Sequence, residues 1–126
     1  MVTAIIGQDH YRTELIASGK TVIADEPEEL GGTNTGPAPG EFLMISLASC
    51  TAITLRMYAD RKKWDVSKIK VEVASEKIDN TTFFKREITL EGSLEEDQRQ
   101  RLLQIANSCP VHKVLSNPIE ISTRLI

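Results

Sequence analysis

The stretch from Pro39 to about Lys62 constrains the fold more than any other part of the chain. Proline suits the first turn of a helix, where its missing amide proton is not needed. The residues that follow are apolar nearly all round the helix: Phe42, Leu43, Met44, Ile45, Leu47, Ala48, Cys50, Ile53 and Leu55. A helix of that kind is expected to be buried on several faces. Its second half turns polar through Arg56, Asp60, Arg61, Lys62 and Lys63, so it emerges into solvent there. Cys50 lies in the buried part. The longest unbroken apolar run, Phe42 to Ile45, is far short of the roughly 20 residues that span a bilayer. Met1 to His10 shows neither the basic flank nor the apolar run of a signal peptide. The expectation is the core helix of a soluble cytoplasmic protein, with no membrane partner.

A single domain of 126 residues is long enough to cover such a helix without metals or disulfide staples. Tyr11 to Ile16 and Thr21 to Ala24 read as strands turned at Ser18-Gly19. Asp25 to Pro39 holds Gly31-Gly32, Gly36 and prolines 27, 37 and 39, a density of breakers that leaves a long loop, ordered or mobile. Beyond the helix, Ile69, Val71 and Val73 alternate with polar residues, and Phe84, Arg86, Ile88 and Leu90 repeat the pattern. Asp79-Asn80 is the expected turn between these two strands. Ser93-Leu-Glu-Glu96 reads as a capping box for a second helix whose stripe is Leu102, Ile105, Ala106 and Cys109. Cys109-Pro110 resets the backbone. Val111 to Leu115 forms a short helix, and Ile119, Ile121 and Thr123 alternate as a last strand. The order β-β-β-α-β-β-α-α-β gives an α+β domain with helices gathered on antiparallel sheet.

A net charge of −3 spread over both signs argues against nucleic acid as a partner. The chemistry, if any, sits on two cysteines. In the cytoplasm thiols are kept reduced, so Cys50 and Cys109 are inert core residues, metal ligands or redox groups rather than a permanent bridge. A cysteine in an apolar helix often serves simply as a small hydrophobe. To act as a nucleophile Cys50 needs its thiolate, hence a nearby cation, for which arginine is best suited. Arg12 and Arg56 are the candidates. Arg56 is six positions on, about 120° round the helix from Cys50, which makes it a poor partner within one chain. Arg12 comes from a strand of the same chain or of a partner subunit. Glu41 is placed to orient an arginine, although a first-turn carboxylate facing the helix dipole explains it equally well. Cys109 stands at a helix start, where amide protons favour a thiolate. Cys109-Pro-Val-His112 is half a zinc pattern, but the other Cys and His, Cys50 and His10, show no matching spacing, so no metal is assigned. Gly31 to Gly36 lacks the lysine of a phosphate loop.

Two segments together resemble the OsmC/Ohr superfamily, in particular a compact OsmC-like subgroup. One is Glu29-Leu-Gly-Gly-Thr-Asn-Thr-Gly-Pro-Ala-Pro-Gly-Glu-Phe-Leu leading to Leu47-Ala-Ser-Cys50-Thr-Ala-Ile-Thr-Leu-Arg56. The other is Ala106-Asn-Ser-Cys109-Pro-Val-His112 with the Ile119-Glu-Ile-Ser strand. The resemblance implies antiparallel sheets about a long buried central helix, in an intertwined homodimer with its sites at the subunit interface. It implies a thiol peroxidase that reduces organic hydroperoxides in oxidative stress defence and needs no cofactor. Cys50 would be peroxidatic, Cys109 resolving, Arg12 the activating cation and Glu41 its support. A dithiol, lipoyl-type included, would regenerate the enzyme. The family's glutamate directly follows the loop proline, whereas here Gly40 follows Pro39 and the carboxylate comes at Glu41. Other functions expected of such a frame are hydrolysis, disulfide reduction, or small-ligand binding and a structural dimer without catalysis.

Overall fold

The structure is a computed structural model that describes residues 1–126, and the chain separates into two compact units, Met1–Leu43 and Met44–Ile126. In the first, β1 (Val2–Ile5), β2 (Thr13–Ala17) and β3 (Lys20–Ala24) make an antiparallel meander in the order β1-β2-β3. Ser18 and Gly19 turn β2 into β3, both at positive φ (50° and 73°), which matches the twist of a two-residue hairpin. β2 begins later than alternation suggests because the Tyr11 amide is engaged elsewhere, donating to Asp25 Oδ1 at 3.1 Å.

Asp25 turns the breaker-rich segment after β3 into an ordered loop. Its side chain is only 2% exposed and accepts six hydrogen bonds. The donors are the amides of Tyr11, Glu26, Thr33 and Thr35 and the hydroxyls of Thr33 (2.6 Å) and Thr35 (2.5 Å). These bonds, the hydroxyls first, outweigh burial and hold the carboxyl well below the usual carboxylate range. The glycines serve the same packing. A Cβ on Gly32 would sit 2.0 Å from the Glu26 carbonyl oxygen, and one on Gly36 would sit 2.2 Å from that of Ile23.

α1 (Pro39–Lys62) has the predicted bounds. By length and composition alone it could cross a membrane, which corrects the expectation drawn from its longest apolar run. Within this chain only the stripe Leu47, Thr51, Leu55 and Ala59 is buried, one residue per turn. Ile45, Ile53 and Met57 on the opposite side are 44%, 54% and 61% exposed. The cover expected on several faces is therefore supplied by one chain on one face only.

β4 (Lys68–Ile78) and β5 (Thr81–Glu91) form an antiparallel hairpin in which Val71 faces Ile88. Asp79 and Asn80, both at positive φ, make the expected turn. The alternating residues Ile69, Ile88 and Leu90 pack against a core of Leu55, Ala59, Val66, Leu102 and Ala106. α2 (Glu96–Ala106) starts later than the Ser93 box predicted. Glu95 is the N-cap, and its amide donates to Gln98 Oε1 at 2.8 Å. Leu94, just before the cap, packs against the core. α3 (Pro110–Ser116) follows. The predicted strand at Ile119, Ile121 and Thr123 does not form: residues 117–126 are irregular, with Ile121 87% exposed. A strand requires a ladder partner, and β4 and β5 pair only with each other here.

Candidate active site

α1 places Cys50 half-buried, one residue before the fully buried Thr51. Cys109 is 0% exposed and is the N-cap of α3, with Pro110 as the first helical residue. Its Sγ accepts the His112 amide proton at 3.5 Å. The stripe that was read as one helix is thus two elements. Leu102 and Ala106 end α2, and the chain turns before burying Cys109 at the next helix start.

Both cysteines are free thiols, and they lie close enough for each to shift the titration of the other. Burial pushes the Cys50 thiol up, and Cys109 adds to this as hydrogen-bond partner and competing charge. The Val111 amide and the Thr54 hydroxyl oppose the rise without reversing it. Burial also works against the Cys109 thiolate. There, however, Cys50, the amides of His112 and Val111, and the Thr51 hydroxyl together outweigh it and bring the thiol down. The two thiols therefore titrate as a pair, with Cys50 shifted up and Cys109 down.

The other sequence-predicted residues have local partners. Arg12 Nη1 lies 3.3 Å from Glu14 Oε1 in an exposed ion pair. Glu41 Oε1 accepts the Ala38 amide proton at 3.1 Å, the first-turn role that its position also suggested. Arg56 pairs with Asp60 one turn along α1 at 3.4 Å. The structure brings together Cys50 and Cys109 and leaves these three charges in surface contacts. No group of three or more Cys, His, Asp and Glu is arranged to hold a metal ion.

Sequence reasoning missed Arg86. It lies in the inward phase of β5, between Phe84 and Ile88. Its Nη1 donates to Thr51 Oγ1 at 3.0 Å and to the Ala106 carbonyl at 3.2 Å, and its Nη2 to Asn107 Oδ1 at 3.0 Å. An arginine in the apolar phase of a half-buried strand was the available signal. Arg86 and His112 border a cavity of about 240 Å³ whose apolar side is Leu47, Phe84 and Leu115.

The chain is thus an α+β protein with two interacting free thiols, one half-buried and one fully buried. The OsmC-like protein family profile matches residues 32–124, and the chain belongs to that family. Among solved structures it is similar to an OsmC-like protein from Mycoplasma pneumoniae (TM-score 0.77, 19% identity, 91% of this chain and 85% of that chain covered). It is also similar to an organic hydroperoxide resistance protein OsmC from Legionella pneumophila (0.61, 20%, 92% and 88%). A third is the organic hydroperoxide resistance protein OhrB of Bacillus subtilis (0.61, 20%, 92% and 89%). These likenesses establish the OsmC-like α+β fold. No curated protein matches the sequence.

Proposed function

We propose that this chain is a thiol-dependent peroxidase that reduces organic hydroperoxides in the cytoplasm as part of oxidative stress defence. The observation that carries the reading is the interacting pair of a half-buried Cys50 and a sealed Cys109. A peroxide can reach the first sulfur and not the second. Attack requires the proton of Cys50 to pass to a neighbouring base, for which an ionised Cys109 is placed. The Cys50 thiolate then attacks the outer peroxide oxygen, the O–O bond breaks, and the alkoxide leaves as alcohol after taking a proton. Cys50 becomes a sulfenic acid. Cys109, the more acidic thiol, loses its proton again and attacks that sulfur, and hydroxide leaves as water. A dithiol reduces the resulting disulfide by two exchanges and is itself oxidised. Arg12 and Glu41 enter as activating cation and its support by family resemblance. The organic hydroperoxide resistance proteins that share the fold favour this substrate class.

Peroxide consumption with an organic and an inorganic peroxide, driven by a dithiol, tests the reading. Faster turnover of the organic peroxide is expected. The raised Cys50 thiol favours a second reading, small-ligand binding or a structural dimer on the same scaffold. Absence of turnover with both peroxides selects it.

A homodimer is part of the proposal in either case. Ile45, Ile53 and Met57 leave an apolar stripe along α1 that water covers poorly, at a cost of about 25 cal/mol per Å². Sedimentation at micromolar concentration is expected to show one dimeric species, and Ile53→Lys to shift it toward monomer. A wild-type chain that sediments as a folded monomer removes the dimer.

A further inference from the structure

Arg86 carries more than its own desolvation requires. One guanidinium joins three elements: β5 through its backbone, α1 through Thr51, and the turn after α2 through Ala106 and Asn107. That turn ends on Cys109. The Thr51 hydroxyl has a single proton, and the Arg86 bond occupies its oxygen as acceptor. The proton is therefore turned away from Arg86. The hydroxyl donates it to the Leu47 carbonyl at 2.7 Å, and the same hydroxyl favours the Cys109 thiolate. An ionised sulfur is the stronger of the two acceptors, because a hydrogen bond to a charge is about twice as strong as one between neutral groups.

We propose that Arg86 is a positioning residue for the two-cysteine chemistry, acting through Thr51. It orients the Thr51 hydroxyl so that the proton can swing from the Leu47 carbonyl to an ionised Cys109. It also pins the turn from Ala106 to Asn107, which sets the depth at which Cys109 meets Cys50. The inference rests on Cys50 and Cys109 acting as a redox pair and is independent of the oxidant. It gives the resolving sulfur a cation of the same chain, held behind a neutral hydroxyl where it cannot react with substrate. The titratable groups nearest Cys109 are Cys50 and, at the α3 start, His112. Arg86 is the cation that reaches Thr51 from the facing strand.

The test reads thiolate formation without peroxide. In a Cys50→Ser background Cys109 is the one remaining thiol, and thiolate ultraviolet absorbance follows it across pH. Arg86→Gln is expected to lower its thiolate fraction at neutral pH by about tenfold, one unit of titration. Thr51→Val is expected to act in the same direction, Thr51→Ser to restore the titration, and the double variant to add little to either single change. Arg86→Lys keeps the charge without the fork and should fall between. A Cys109 titration unmoved in both folded Arg86→Gln and Thr51→Val overturns the proposal. If Arg86→Gln does not fold, Thr51→Val against Thr51→Ser decides, and equal curves for those two overturn it as well. A protein that consumes no peroxide yet shows these shifts loses the peroxidase reading and retains the role of Arg86.

Discussion

Cys50→Ser is expected to reduce peroxide consumption to the uncatalysed background, a loss on the order of a thousandfold or more, because a serine hydroxyl stays protonated at neutral pH and is a far weaker nucleophile. Cys109→Ser is expected to behave differently. Its Cys50 still meets peroxide, and one equivalent is consumed, more slowly because Cys109 no longer takes the Cys50 proton, but no second thiol condenses with the sulfenic acid. Excess peroxide then carries Cys50 on to sulfinic acid, which thiols do not reverse. Mass spectrometry of the intact variant reads this as one added oxygen and then two, both on Cys50. The structure makes the assignment sharp in one respect. Acidity alone favours Cys109 as the first nucleophile, whereas access favours Cys50. Access governs the first step, since a sealed thiolate cannot meet a peroxide oxygen. Acidity governs the second, since Cys109 need only reach the neighbouring sulfur. Sulfenic acid trapped on Cys109 in Cys50→Ser, with turnover retained, reverses these roles.

What the sequence shows and what it hides follow from how far apart the interacting residues lie. The bounds of α1 were legible because Pro39 and the polar run from Arg56 mark them locally. The hairpin was legible through alternation at Ile69, Val71, Phe84 and Ile88 and the Asp79-Asn80 turn. Both cysteines were legible as the sole candidates for chemistry, and the helix start at Pro110 as the setting of one of them. Arg86 was not, since its partners Thr51 and Ala106 are 35 and 20 residues away and no local pattern joins them. The alternation at Ile119, Ile121 and Thr123 records an apolar side, but pairing is a property of two strands and the second was never in the pattern. The start of α2 was misplaced because Ser93 and Glu96 satisfy the box as letters, while the box that forms joins Glu95 and Gln98. Asp25 was read only as the first residue of a loop, with nothing to mark it as that loop's centre.

Asp25→Ala is expected to be among the most destabilising single changes in the chain. It removes the common acceptor of four amides and two hydroxyls, which the loop gathers on one carboxylate. A fall in melting temperature on the order of 10 °C is expected, together with loss of hydrogen-exchange protection at the Thr33 and Thr35 amides. Asp25→Asn should rescue little, because it points an NH₂ donor at a ring of donors. The pH dependence has a definite sign. The folded Asp25 carboxyl is held below its unfolded value of about 3.9, chiefly by the Thr33 and Thr35 hydroxyls. Its contribution to stability is therefore fully present above that value and is lost as pH falls through the lower, folded one. Wild-type protein should lose stability on acidification below about pH 4 more steeply than Asp25→Ala, whose loop has no charge left to neutralise. Melting curves across that acid limb measure the difference. A variant that melts within a degree or two of wild type, or acid limbs that run parallel, shows that Thr33 and Thr35 hold the loop without the carboxylate.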